Sequence, residues 1–344
     1  AADGGKGLNG AGVMLGLGDA ADPQFHVDFT GRINARSYAH TDNHGVHTTG
    51  TMAGAGIMQE EYRGVAAKAS IVTQFFSQIL SNAASYNQDY GMLLTNNSYG
   101  NIVACNYMGT YDIYAQLIDQ QAFDLPELMH LFAAGNSGSL TCSPFAQRYH
   151  TVLGGWQSAK NVMSVGATSD TGLIASFSSR GPVRDGRVKP EVVAIGHEVY
   201  STVYNILGST YGKNQGTSMA TPLVTGSAAL LIERYRQLHG GANPTGAYVK
   251  AALCNGATDK GTTGPDFNYG YGAVNMLRSI DMVDADRVIS GTVAHAATTT
   301  HAITVPANTA QLKVLLYWHD PAASLLATQT LVNDLDLEVV DLST

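Results

Sequence analysis

The sequence predicts an α/β fold built on a mostly parallel sheet, followed by a smaller segment rich in β-type residues. Short apolar runs recur without alternation: Gly12–Gly18, Ala69–Phe76, Met92–Ser98, Leu128–Ala134, Asn161–Gly166 and Pro190–Ile195. Runs of this kind read as parallel strands buried on both faces. Helical segments fall between and after them, the pattern of strand-crossover-strand units. The pattern changes near residues 283–288. From Arg287 onward the text alternates and is rich in Val, Thr, Ala and Ile, which favours strands joined by turns. The predicted division is therefore residues 1–285 for the α/β part and 286–344 for a β-domain.

Each element has a local reason. Gly12–Gly18 ends at Asp19, which places this carboxylate at the carboxyl end of the sheet, where ligands and catalytic groups gather in open α/β folds. The small residues of His44–Ala55 suit a helix packed close against other backbone. Tyr111–Gln121 has helical spacing. Thr217–Leu238 is a long helix with Pro222 near its start, and Thr245–Asn255 is another. The second segment has fewer residues than the roughly 100 of a common β-sandwich, so a partial domain is expected.

Composition narrows the function classes. With 44% hydrophobic and 13% charged residues in 344, the chain has an ample core and none of the character of a disordered one. A net charge of -8 gives no support to nucleic-acid binding. No apolar run is long enough to predict a membrane-spanning helix. The opening AADGGKGLNG lacks a basic stretch followed by an apolar core, so it is not a signal peptide. If the protein is exported, that segment has been removed. Cys105, Cys142 and Cys254 have no zinc spacing, and either one disulfide with a free thiol or three buried thiols is open.

The most informative stretch is Gly216-Thr217-Ser218-Met219-Ala220-Thr221-Pro222. A serine at the start of a long, small-residue helix lies among free N–H groups at the positive end of the helix dipole. Plain helix capping by Thr217 or Ser218 is the alternative. A serine nucleophile needs a base, and the base an orienting acid. His44 supplies the base candidate and Asp19 the acid, with Asp22 and then Asp28 behind it. Without an HExxH pattern, His44 and His47 are a poor zinc pair. The chain order Asp, His, Ser is one of the known triad orders.

With these residues in view, the chain resembles the subtilisin-like (subtilase) serine proteases. GTSMATP at 216–222 matches the family's serine motif in full. His44-Gly45-Val46-His47-Thr48-Thr49-Gly50-Thr51 matches HGTHVAGT, departing at Val46, Thr48 and Thr49. Ala133-Ala134-Gly135-Asn136-Ser137-Gly138 matches the oxyanion segment, and Asn96-Asn97-Ser98-Tyr99-Gly100 a substrate wall. Residues 175–182, 189–194 and 270–275 fit supporting segments. The aspartate is the weakest match: the family's Asp-Thr-Gly or Asp-Ser-Gly is Asp19-Ala20-Ala21 here, which questions the local hydrogen bonding. The short stretch before Asp19 suggests a missing or trimmed N-terminal element.

The resemblance implies a three-layer subtilisin-like fold and a secreted endopeptidase of broad specificity acting on proteins or peptides. It implies Ser218 as nucleophile, His44 as base, Asp19 as its orienting acid, and Asn136 with the Ser218 N–H as oxyanion donors. Ser98, Tyr99 and Gly100 would pair with substrate backbone, and with Ala133, Ala134 and Gly135 would wall a roomy apolar pocket. The two walls should be neighbours, which implies a Cys105–Cys142 disulfide with Cys254 a buried thiol. Residues 312–337 look like the jelly-roll-like β-sandwich of one alkaline subtilase branch, where Asp320, Asp334 and Asp336 are candidate calcium ligands. A removed propeptide, or a C-terminal fragment, is a candidate partner. A pseudoprotease, a sedolisin-type acid protease and a nucleotide-binding α/β protein are the rivals. His44 and Asn136 argue against the second, and the lack of GxGxxG or a P-loop against the third.

Overall fold

In chain order the strands and helices are β1 (Met14–Asp19), β2 (Ile33–Ala35), α1 (Asn43–Ala53), β3 (Ser70–Phe75), α2 (Gln78–Ser81), α3 (Ala83–Tyr90), β4 (Met92–Asn97), α4 (Ile113–Asp124), β5 (Met129–Ala133), β6 (Met163–Thr168), β7 (Val192–Ile195), β8 (Val199–Asn205), β9 (Gly208–Asn214), α5 (Thr217–Leu238), α6 (Gly246–Gly256) and α7 (Met276–Asp284). They come from a computed structural model that describes residues 6–20, 23–36, 42–205, 207–325 and 327–341.

β1 to β7 form one sheet in the order β2-β3-β1-β4-β5-β6-β7, and every neighbouring pair is parallel. From β1 the chain crosses to the sheet edge at β2 and comes back inward at β3, beside β1. It then returns to the other side of β1 at β4. The crevice at the carboxyl ends of β1 and β4 is thus the switch point where open α/β sheets bind ligands.

Helices cover both faces. Leu131 packs into a core with Val224, Ala228 and Ala229 of α5 and Val249 of α6. Its neighbour Phe132 faces the other way, into a core with Ile79 of α2, Ala83 of α3 and Ile118 of α4. This is the period-2 reversal of a strand buried on both sides. Burial of each such side chain contributes about 1.5–3 kcal/mol. The result is the expected three layers.

Two helices position the crevice. α1 begins at Asp42, whose carboxylate accepts the His44 N–H at 2.8 Å, a side-chain N-cap. It then runs under the β8–β9 hairpin, where a Cβ at Gly50 would stand 2.1 Å from Thr202 Oγ1, so only glycine fits. The sequence reading missed this hairpin, as well as β2, α2 and α3. α5 carries Pro222 six residues into the helix, deeper than the first-turn position where a missing N–H costs nothing. The donor that Pro222 lacks would have served the Ser218 carbonyl. The Ser98 hydroxyl takes its place, donating to Ser218 O at 2.9 Å.

The C-terminal segment departs from expectation. Residues 286–341 hold no strand among the described residues, so the expected β-sandwich is not formed there. A strand needs a backbone partner, and the alternating Ile303, Val305, Val314 and Leu316 stay 40–51% exposed. The segment is held by side-chain contacts instead. The Lys160 ammonium is received by Asp320, by Pro321 O and by Thr330 O. Asn161, Tyr111 and Gln116 hold the backbone of Asp320 and Ala323.

Candidate active site

Asp19, at the carboxyl end of β1, is 1% exposed. Its carboxylate faces His44 in the first turn of α1, with Nδ1 at 2.9 Å from Oδ1 and 3.0 Å from Oδ2. The Ala20 N–H donates to Oδ1 at 2.8 Å, and Thr48 Oγ1 lies 3.1 Å from Oδ2. The carboxylate is therefore well satisfied although Ala20 brings no hydroxyl. A carboxylate on Nδ1 fixes the proton there and leaves Nε2 as the basic nitrogen. Burial works against the charged imidazolium. The hydrogen bond to Asp19 and the charges of Asp19 and Asp42 outweigh it and hold the His44 pKa above its usual 6.5.

The other histidine and the other carboxylates have different work. His47 turns to the hairpin, with Nε2 at 2.9 Å from Val199 O and 3.2 Å from Gly212 O. Burial pulls its pKa down to about 4, so it is neutral and structural. Asp28 accepts the Gly56 and Ile57 N–H groups and the Tyr211 hydroxyl. Asp22 lies outside the described residues.

Ser218 is the second residue of α5 and is 8% exposed. Its hydroxyl donates to the Ser98 carbonyl at 3.1 Å, not to His44. Catalytic hydrogen bonds of ligand-free sites often close only when substrate binds. Ser98 meets α5 twice, since its own hydroxyl holds Ser218 O. Asn96 Nδ2 donates to that hydroxyl at 3.0 Å, and Thr225 Oγ1 to Asn96 Oδ1 at 3.1 Å.

Asn136 follows β5 and is exposed. Its Oδ1 is pinned by the Thr217 N–H at 2.9 Å and the Thr217 hydroxyl at 3.0 Å. That leaves Nδ2 free to donate. Gly216, with φ +148°, has no side chain where the donors meet. A Cβ there would lie 3.3 Å from Asn136 Nδ2 and 3.5 Å from the Ser218 nitrogen. The amide and the N–H at the start of α5 thus border one small space, the geometry of an oxyanion site. Thr217, which the sequence reading treated only as a possible cap, is the anchor of this amide. Its place in the heptapeptide was the only signal.

The two walls also adjoin. Leu153 fills the space between them: a Cβ on Gly100 would stand 2.7 Å from its Cδ1, and one on Gly135 2.7 Å from its Cγ. Ala133 and Ala134 are buried, and Gly135 donates to Thr217 and accepts from Ser179. These residues line the wall with small side chains and backbone that is already hydrogen-bonded within the protein. The Tyr99 ring turns away, its hydroxyl on Asn97 and its edge on Trp156, while its carbonyl takes Gln157 Nε2 at 2.8 Å. Cys105 and Cys142 are joined by a disulfide with Cα atoms 5.2 Å apart, and Cys254 is a buried free thiol.

Of the expected calcium ligands, Asp320 is committed to a lysine, which corrects the sequence reading at that residue. Asp320 is 2% exposed and bound to the Lys160 ammonium, and it also accepts the Val332 and Asn333 N–H groups. A second cation there would face an ammonium. Asp334 and Asp336 lie exposed. Among the described residues, no group of His, Cys, Asp and Glu is arranged to hold a metal.

Comparison with known proteins shows the family and the fold. Residues 16–272 match the family model described as the subtilase family. Serine protease AprX of Bacillus subtilis is 30% identical over 318 residues, covering 80% of this chain and 68% of that protein. Subtilisin DY of Bacillus licheniformis is 28% identical over 288 residues, covering 79% of this chain and 92% of its own. The structure of the Clostridium perfringens CspB protease superposes with a TM-score of 0.70 at 18% identity, covering 85% of this chain and 97% of that one. It shares the fold.

Proposed function

This chain belongs to the subtilase family and is a serine endopeptidase, and from that premise we propose that Asp19, His44 and Ser218 are its triad. Ser218 Oγ attacks the peptide carbonyl. His44 Nε2 takes the serine proton and later gives it to the leaving amine. Asp19 holds the imidazole tautomer and stabilises its charged form without itself taking the proton. Asn136 Nδ2 and the Ser218 N–H receive the oxyanion. The observation that carries this reading is the junction at Gly216, where the two donors border one space beside the nucleophile.

Substrate binds as an added strand along Ser98 to Gly100. The apolar Leu153 between the walls supports a preference for apolar side chains next to the cleaved bond within a broad specificity. The Cys105–Cys142 disulfide supports export, because disulfides persist in oxidising compartments. Its own propeptide is the partner proposed to have occupied the cleft before maturation.

Cleavage of a peptide library by the wild type and by Ser218→Ala tests the reading. The wild type cuts many sites, enriched in apolar residues before the scissile bond, and Ser218→Ala loses on the order of 10⁶ in turnover. Undiminished cleavage by Ser218→Ala would overturn it.

A further inference from the structure

We propose that Thr48 is a positioning residue for catalysis, its hydroxyl holding the Asp19 carboxylate that in turn holds His44. The inference rests on the triad reading given above. Asp19 is almost wholly buried, and a buried carboxylate keeps its charge only where donors surround it. Oδ1 has the Ala20 N–H to itself at 2.8 Å. The single proton on His44 Nδ1 lies between the oxygens, at 2.9 and 3.0 Å, and cannot fully serve both. Among the described residues, Thr48 Oγ1, at 3.1 Å, is the further donor to Oδ2.

The Thr48 hydroxyl has one proton and two acceptors in reach, since Gly45 O is also 3.1 Å away. Competition favours Asp19. The Gly45 carbonyl already takes the Thr49 hydroxyl at 2.6 Å, and within α1 it also serves the helix ladder. Its lone pairs are committed, and an ionised carboxylate is the stronger acceptor.

The placement explains why this position can do the work. Thr48 is four residues after His44 in α1, so both side chains lie on one face of the same helix. The base and the donor that steadies its partner move as one body. Two departures in the sequence also fall together. A hydroxyl is absent after Asp19, where Ala20 stands, and a hydroxyl appears at Thr48, where the matched motif has valine. Thr48 restores the donor count from the opposite side of the carboxylate.

Thr48→Val keeps the shape and removes the donor, while Thr48→Ser keeps the donor. The other titratable groups facing His44, Asp42 before α1 and His47 on it, are untouched by either change. Thr48→Val is expected to lower kcat about tenfold with KM within about twofold. It also moves the acid limb of the kcat/KM profile to higher pH, because a carboxylate short of a donor holds the imidazolium more strongly. Thr48→Ser is expected to restore both the rate and the limb. Thr48→Ala gives the same reading should the valine variant fail to fold. Wild-type kcat and an unmoved limb in Thr48→Val would overturn the inference, provided Ser218→Ala is inactive. Full activity in Ser218→Ala would instead overturn the triad reading beneath it.

Discussion

The carboxyl edge of the sheet and the segment 286–341 solve the same problem in opposite ways. Both must satisfy polar groups outside regular structure. At the sheet edge, the strands and helices are complete, and side chains span short gaps between them. Asp19 to His44, Asn136 to Thr217 and Ser98 to Ser218 each join two different elements. In the C-terminal segment no strand forms among the described residues, and attachment depends on a few buried polar anchors around Lys160. The contrast teaches that a pattern of residues becomes an element only where the chain also supplies its partner. It also separates two kinds of loss, one of catalysis and one of attachment.

The largest effect expected from breaking one side of this contrast is on stability. Lys160→Met leaves the Asp320 carboxyl group buried and without its cation. Removing one partner of a buried pair costs about 3–5 kcal/mol. Urea unfolding should show that loss, with the C-terminal segment cleaved early by an added protease and kcat of the folded enzyme unchanged. An unaltered unfolding midpoint would mean that the segment is held elsewhere.

Asn136→Leu breaks the other side. It removes the amide donor and keeps the approximate volume, so turnover should fall roughly 10²–10³-fold, the size seen for loss of one oxyanion donor. The buried Thr217 N–H and hydroxyl lose their acceptor, so stability should fall by about 1–3 kcal/mol, less than for Lys160→Met. A large stability loss with preserved turnover would reverse the roles assigned to the two regions.

The smallest effect sharpens the site alone. His44 must be neutral to accept the serine proton, and its pKa is held above 6.5. Activity is therefore present above that raised pKa and lost as pH falls through it. The acid midpoint of kcat/KM should lie above 6.5, and Asp19→Asn should bring it down. A wild-type midpoint below 6.5 would contradict the electrostatics derived for the pair.

Much of this was legible in the sequence because it lies in contiguous motifs. The apolar runs located six strands of the sheet, and Thr217–Leu238 was read at its observed bounds. What escaped depends on contacts between segments distant in sequence. The β8–β9 hairpin has mixed polar and aromatic text, and its fit depends on α1 beneath it. Thr48, Thr217 and Leu153 gain their roles from Asp19, Asn136 and the two walls, none of which lies beside them in the chain. The C-terminal alternation failed for the converse reason, since residues suited to strands found no strand to pair with. Asp320 looked like a metal ligand because nothing near it in sequence announces Lys160.

The central claim is that Ser218 is a nucleophile activated through His44. Labelling with a fluorophosphonate followed by peptide mapping tests it most directly. The account predicts one adduct, on Ser218, formed rapidly in the wild type and suppressed in His44→Ala. An unlabelled Ser218 in folded protein, or equal labelling in His44→Ala, would contradict it.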